Sequence, residues 1–172
     1  MIPSANFEFG FDELDKVDCV IKNTELVILQ LELRLDVTKE IIRRAYGYGV
    51  KVLLNLAPAV KLEKEILGMV DYITPNETEL SILTDMPTGT DEEVIAAAKE
   101  LLSYGTKTII ATLGSRGALI ATKDCVEIVN GYKVKAVDTV AAGDSFNGAF
   151  AVAVMEGKLI EEAVRFANAM VH

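Results

Sequence analysis

The chain has 172 residues, 51% of them apolar, so it can bury a substantial core and is predicted to form one α/β domain over residues 1–172. Its formal net charge of −9 argues against partners such as nucleic acid or an anionic membrane surface, which require clustered lysine and arginine. The chain has no apolar run of about 18 residues and no signal-peptide pattern, and its two cysteines lie far apart, which together predict a cytoplasmic protein with free thiols.

Short apolar runs alternate with helical patterns in the first half of the chain. Residues 26–31 (LVILQL) and 50–56 (VKVLLNL) have the length and continuous apolarity of buried strands. A helical pattern from residue 36 or 38 to residue 47 or 49 separates them, which makes a β-α-β unit. The first twenty-odd residues have no sustained period, and alternate aromatic residues there are typical of a short strand or an anchored loop: Phe7, Phe9 and Phe11.

The alternation continues through the second half, where hairpins are also predicted. Thr90 and Glu93 have the spacing of a capping box, and Asn130-Gly131 is a strong hairpin signal. The predicted elements are a short helix at 62–67, a strand at 72–73, a helix at 91–104, paired strands at 107–112 and 118–122, paired strands at 126–129 and 132–137, a helix at 144–156 and a last helix from 161.

Strands that alternate with helices predict an α/β fold with a largely parallel sheet covered by helices on both faces. The late hairpins are expected to add antiparallel strands at one end. In such sheets, ligands bind beyond the carboxyl ends of the strands. Four polar turns are expected at that edge: Glu32, Asn55, residues 76–79 and residues 138–144.

Residues 136–148, AVDTVAAGDSFNG, carry the clearest signal for chemistry. Small residues at 141–143 precede Asp144 at the head of an apolar helical pattern. A helix N-terminus stabilises an anion, and small residues let the anion come close. A carboxylate there repels a phosphate but suits a base that takes a proton beside one, so phosphoryl transfer is one interpretation. The alternative is a tight junction in which Asp144 only caps the helix; Asp138 likewise either holds a cation or caps a turn.

Two further turns each permit two interpretations. In residues 74–79 (TPNETE), Asn76 and Glu79 form a helix cap with a solvated acid, or they reach phosphates and hold Mg²⁺ through water. Residues 113–117 (LGSRG) form a plain hairpin turn, or a wall for a nucleotide in which Arg116 supplies the cation. Neither pattern decides between its alternatives when it is taken alone.

Several segments together, in this order, resemble the carboxyl-terminal portion of the ribokinase-like (PfkB-type) carbohydrate kinases. They are LNLAPA, DYITPNETEL, TLGSRGA, AVDTVAAGDSFNGAF and EEAVRFANA, and the resemblance extends from about Glu25 to Met170. The signature DTxAAGDxFNGA is highly specific. The resemblance implies an ATP-dependent kinase acting on the primary hydroxyl of a sugar, with ribose expected to give ribose 5-phosphate. A kinase for another sugar or a nucleoside is the close alternative.

The resemblance also implies roles for individual residues. Asp144 corresponds to the base and substrate contact, Glu32 to an acid near the sugar, and Glu79 to a ligand of Mg²⁺ through water. Backbone amides of an anion hole correspond to Ala141, Ala142, Gly143 and Asp144. Nucleotide-binding positions correspond to Asn76, Thr112, Leu113, Gly114, Ser115, Arg116, Gly117 and Asn168. A monovalent-cation site, usually for K⁺, corresponds to Asp138 and the carbonyl of Val140.

Departures from the family pattern give a second hypothesis. Members of the family are usually much longer, so the chain is expected to be truncated at both ends, with part of the sugar pocket and the lid absent. Leu33-Arg34 also replaces a more usual pair after the acid. The alternative function is therefore a catalytically inactive, nucleotide-binding fragment. Apolar surface left exposed where missing strands would pack favours a homo-oligomer.

Overall fold

The computed structural model describes residues 4–132 and 141–171. Its strands are β1 (Leu26–Leu29), β2 (Lys51–Asn55), β3 (Tyr72–Thr74), β4 (Thr108–Thr112), β5 (Ala118–Thr122) and β6 (Val126–Val129). Within the described residues they form one sheet whose spatial order follows the chain, from β1 to β6. The pairs from β1 to β4 are parallel and the pairs from β4 to β6 are antiparallel, which confirms the predicted sheet.

Eight α-helices lie in the described parts of the chain. They are α1 (Ser4–Glu8), α2 (Phe11–Lys22), α3 (Leu35–Tyr48), α4 (Lys64–Leu67), α5 (Glu77–Thr84), α6 (Asp91–Ser103), α7 (Ala142–Met155) and α8 (Ile160–Met170). The predicted capping box at the start of α6 is present, with the Thr90 side chain accepting from the Glu93 backbone N–H. None of the helices in these ranges is long and apolar enough to cross a membrane.

The amino-terminal segment differs from the prediction. Instead of a strand or an anchored loop, it forms α1 and α2. The Glu13 carboxylate accepts a hydrogen bond from the Gly10 backbone N–H at 3.1 Å, which fixes the start of α2. In α2, Leu14 and Ile21 are buried and Val17 packs against the same core. Their spacing of three and four residues is helical, but the alternate phenylalanines at the start of the segment obscure it in the sequence.

The sheet is covered on both faces because successive side chains of a buried strand point to opposite sides. In β2, Val52 and Leu54 join a core built with α2, α3, α5 and α6, whereas Leu53 joins a second core built with α7 and α8. In the second core, the rings of Tyr72 and Phe150 meet edge to face with centroids 5.4 Å apart. This packing fixes α7 against the sheet and so positions its first turn.

The parallel strands β1 to β4 end at the same edge of the sheet, and their following loops are tied together there. The Leu31 N–H donates to the Ala57 carbonyl at 3.0 Å, and the Thr112 N–H donates to the Pro75 carbonyl at 2.8 Å. The described polar turns that follow β1 to β4 are therefore gathered at one edge of the fold. The predicted strand at 132–137 falls largely outside the described residues.

Candidate functional site

A cavity of about 280 Å³ lies where the ends of β1 and β2 meet the start of α7. Polar and apolar side chains share its wall, a composition that is usual for small-molecule sites. The lining residues are Ile28, Leu29, Gln30, Asn55, Asp144, Asn147 and Gly148. The structure thus brings the predicted base, Asp144, beside the strand ends at which ligands bind in open α/β sheets.

The start of α7 has the features of an anion site. Ala141 adopts a left-handed conformation with φ of +59° and offers no side-chain acceptor to the helix. In the first turn, the Ser145 N–H donates a backbone hydrogen bond of 2.9 Å to the Ala141 carbonyl. The N–H groups at the start of a helix have no intrahelical acceptor, and the helix dipole adds positive potential there. A Cβ built on Gly143 would meet no atom of the described residues within 4 Å, so these residues leave an anion room to approach.

Asp144 occupies the third position of α7 and does not cap the helix, because the N-cap residue is Ala141. Its Oδ1 accepts a hydrogen bond of 2.6 Å from Nε2 of Gln30, the residue that follows β1. One turn further along α7, Asn147 is buried, and its Oδ1 has no hydrogen-bond partner among the described residues. An unpaired buried acceptor costs about 1–3 kcal/mol, so this amide is a polar group held beside the cavity at a cost.

Glu32 lies two residues beyond Gln30, in the same loop after β1. Its Oε2 accepts a hydrogen bond of 3.3 Å from Nδ2 of Asn6, which reaches it from α1. The neighbouring Arg34 pairs with Asp36 at 2.6 Å across the start of α3. The loop therefore offers one carboxylate, from Glu32, and one amide, from Gln30, near the edge at which β1 ends.

Asn76 and Glu79 form a reciprocal cap at the start of α5. The Glu79 N–H donates to Oδ1 of Asn76, and the Asn76 N–H donates to Oε2 of Glu79, both at 2.8 Å. Burial raises the pKa of the Glu79 carboxyl above its ordinary value, while the hydrogen bond from the Asn76 backbone lowers it. The cap is therefore present, and it fixes both side chains next to Thr112, which forms a parallel bridge with Asn76.

The turn between β4 and β5 contains the 3₁₀ segment Gly114–Arg116 and is closed by Gly117. The φ of Gly117 is +100°, and a Cβ there would overlap the Val129 carbonyl oxygen. Such a contact is impossible, so the close approach requires glycine. On the same side, the Gly131 N–H donates to the Arg116 carbonyl at 3.3 Å. The end of β6 thus packs directly on the predicted nucleotide-binding turn.

The Arg116 side chain bridges two helix starts. Its guanidinium donates to the carboxylates of Glu77, the first residue of α5, and Asp91, the first residue of α6. Acidic residues stabilise a first helical turn, and the planar guanidinium of one arginine can donate to two carboxylates at once. The guanidinium already has two carboxylate partners, so it holds the turn against the helices that flank it.

Asn168 lies on the buried side of α8. Its Nδ2 donates to the Val129 carbonyl at 3.4 Å, which ties α8 to β6. Asp138 and Val140, the predicted cation-site residues, lie outside the described residues.

Two residues of the cavity, Gln30 and Asn147, do not stand out in the sequence analysis. The available signals are a polar residue inside an otherwise apolar strand run, LVILQL, and an amide within the apolar stripe of α7.

The oxygen donors at the start of α5 fit the chemistry of Mg²⁺. Among the residues that the structure describes, no three His, Cys, Asp or Glu side chains come together as a metal cluster. Mg²⁺ that accompanies nucleotide phosphates needs only one or two carboxylates, because phosphates and waters complete its octahedron. The Glu79 carboxylate and the Asn76 amide are oxygen ligands of this kind, held in place by each other.

Comparison with known proteins identifies similar chains. The model of the pfkB family of carbohydrate kinases matches residues 2–170. A ribokinase of Haemophilus influenzae is 38% identical over 157 residues, which cover 91% of the chain and 49% of that protein. A deoxyribokinase of Salmonella typhi is 38% identical over 166 residues, which cover 96% of the chain and 54% of that protein. The chain therefore spans about half the length of these curated relatives.

Solved structures show the same similarity in three dimensions. A crystal structure of Thermotoga maritima ribokinase matches 99% of the chain and 56% of its own, with a TM-score of 0.87 and 38% identity. The structure of Arabidopsis thaliana ribokinase complexed with ribose and ATP matches the same shares, with a TM-score of 0.89 and 32% identity. The described sheet and its helices thus have the arrangement found in these enzymes.

Proposed function

The chain belongs to the pfkB family of carbohydrate kinases, and from this premise we propose that it transfers a phosphoryl group from ATP to the primary hydroxyl of a sugar. Ribose, which would give ribose 5-phosphate, is the first acceptor to test, since relatives at 38% identity are named ribokinase and deoxyribokinase. Those relatives are about twice as long as the chain, so activity, substrate and partners are all part of the proposal.

The observation that carries the proposal is the first turn of α7. There the Asp144 carboxylate stands beside a cavity, in the same turn as backbone N–H groups that have no intrahelical acceptor. We infer that Asp144 takes the proton from the sugar hydroxyl, which is typically worth about 10²- to 10⁴-fold in rate. The amides from Ala141 to Asp144 are proposed to receive the charge of the transferring phosphoryl group.

The nucleotide is proposed to lie along the ends of β3 and β4. The supporting features are the bridge between Asn76 and Thr112 and the turn at 113–117, which Arg116 holds in place. Glu79 would hold Mg²⁺ through water, with Asn76 beside the phosphates; the ion, when bound, would neutralise phosphate charge. Asn168 is proposed to support the nucleotide site through β6, to which its amide is bonded.

A monovalent cation, K⁺, is proposed at Asp138 and the carbonyl of Val140 on the basis of the family signature. For the sugar, the proposal assigns Glu32 as a hydrogen-bond acceptor. Its carboxylate is held by Asn6 at 3.3 Å in the loop that also carries Gln30. Carboxylate and amide groups suit a polyhydroxyl ligand, because each hydroxyl can both donate and accept.

The test is turnover by the purified 172-residue chain. ADP release is followed with ribose, 2-deoxyribose, fructose or adenosine as acceptor, with ATP, Mg²⁺ and K⁺ present. We expect sugar-dependent ADP release that is highest with a pentose. In parallel, ATP binding is measured by calorimetry. ATP binding without turnover would contradict the kinase proposal and would favour the alternative, an inactive nucleotide-binding fragment.

A further inference from the structure

One side-chain contact joins two distant parts of the chain at the proposed site. Nε2 of Gln30 donates to Oδ1 of Asp144 at 2.6 Å, across a separation of 114 residues. Gln30 follows the last residue of β1, and Asp144 lies in the first turn of α7. Both side chains also line the same cavity of about 280 Å³.

Both ends of this contact are firmly anchored. Before Gln30, Leu29 is buried in the core, and after it the Leu31 N–H is bonded to the Ala57 carbonyl at 3.0 Å. On the other side, Phe146 and Phe150 are buried beneath α7. The amide of Gln30 therefore extends from a fixed strand end and donates its hydrogen bond to a carboxylate on a fixed helix.

A contact of this kind matters for a base. The carboxylate of Asp144 is exposed, so without a partner it would sample several side-chain rotamers. A base must lie within hydrogen-bond reach of the proton that it abstracts, and a misplacement of about 1 Å can cost about 10²-fold in rate. An amide donor orients the carboxylate without adding a positive charge, whereas lysine or arginine would neutralise it.

We propose that Gln30 is a positioning residue that holds one oxygen of the Asp144 carboxylate, so that the other oxygen faces the acceptor hydroxyl in the cavity. This inference rests on the proposed function, in which Asp144 is the base. Gln30 itself acts through Asp144 and takes no part in the proton transfer. Replacing Gln30 should therefore change kcat and leave the affinity for ATP unaltered.

The hydrogen bond can be observed directly, because Gln30 is the only glutamine among the 172 residues. Labelling glutamine side chains with ¹⁵N therefore gives a single pair of amide signals in the full chain. We expect Asp144→Ala to move these signals to the position of a solvated glutamine. Asp124→Asn, which changes an exposed carboxylate in the turn after β5, should leave them in place. Signals that do not respond to Asp144→Ala would overturn the inference, whether or not the chain has activity.

Kinetics then separate positioning from packing. We expect Gln30→Ala to lower kcat by about 10- to 100-fold while KM for ATP changes by less than about twofold. Gln30→Glu keeps the shape but places two carboxyl groups in contact, so its kcat should be at least as low. A Gln30→Glu variant with the original kcat would overturn the inference and leave the kinase proposal standing. The Gln30 signals could respond to Asp144→Ala in a chain that shows no turnover. That result would contradict the kinase proposal and still support the orientation of Asp144 by Gln30.

Discussion

Replacing Gly117 with alanine tests how the turn between β4 and β5 is held against the end of β6. Gly117 has φ of +100° and ψ of −129°, a region that costs a residue with a Cβ about 1–3 kcal/mol. The new Cβ would also clash with the Val129 carbonyl oxygen and the Gly131 nitrogen. Backbone must move to relieve these contacts, and overpacking of this kind costs about 1–3 kcal/mol more. We therefore expect a loss of about 4 kcal/mol in the free energy of unfolding.

Gly114 provides a matched control in the same turn. Its φ is also positive, +56°, but a Cβ there would meet no atom within 4 Å in the part of the chain that the structure describes. Gly114→Ala should therefore cost only about 1 kcal/mol, the penalty of the left-handed conformation. Urea denaturation of both variants measures the difference, expected to be about 3 kcal/mol, or roughly a hundredfold in the unfolding equilibrium constant. Equal losses in the two variants would refute the packing of β6 on this turn.

Two further predictions concern the nucleotide side of the site. Arg116→Ala should weaken ATP binding, measured by calorimetry, because the turn loses its bridge to Glu77 and Asp91. The free energy of unfolding should change little, because ion pairs between exposed side chains contribute at most about 1 kcal/mol. Unchanged ATP affinity would show that the bridge does not hold the nucleotide turn. Burial raises the pKa of Glu79 above its ordinary value of 4.5, so the folded state binds the carboxyl proton more tightly than the unfolded state does. The stability that this proton contributes is therefore lost as the pH rises above 4.5. Glu79→Gln should therefore lessen the decline in stability above pH 4.5 in urea titrations, and an unchanged slope would contradict the assigned burial.

The sequence predicts the sheet well because its strands are short, continuous apolar runs between clear turn signals. Burial on both faces requires such runs in β2 and β4, so the pattern and the structure have the same cause. The amino-terminal helices are missed because two patterns overlap there. Leu14, Val17 and Ile21 of α2 have helical spacing and pack in the core, whereas the alternate phenylalanines from α1 to the start of α2 give a misleading strand-like pattern.

The site is only partly predictable for a similar physical reason. Asn76 and Glu79 are three residues apart, and a cap between them follows from local geometry. Gln30 and Asp144 are 114 residues apart, and only the folded sheet brings them together. The role of Arg116 was also hidden, because its two carboxylate partners begin two different helices. The cytoplasmic location, the single domain and the homo-oligomer stay predictions.

Asp144 is proposed to act as the base of a sugar kinase. Its most direct test is the initial rate of ribose-dependent ADP release by the Asp144→Asn variant, which keeps the size of the side chain and removes its proton-accepting charge. Beside it, Asp124→Asn serves as the matched control, since Asp124 is an exposed carboxylate away from the cavity. We predict that Asp144→Asn lowers kcat by about 10²- to 10⁴-fold while ATP affinity and Asp124→Asn activity stay unchanged. Ribose-dependent turnover by Asp144→Asn at the original rate would show that Asp144 is not the base.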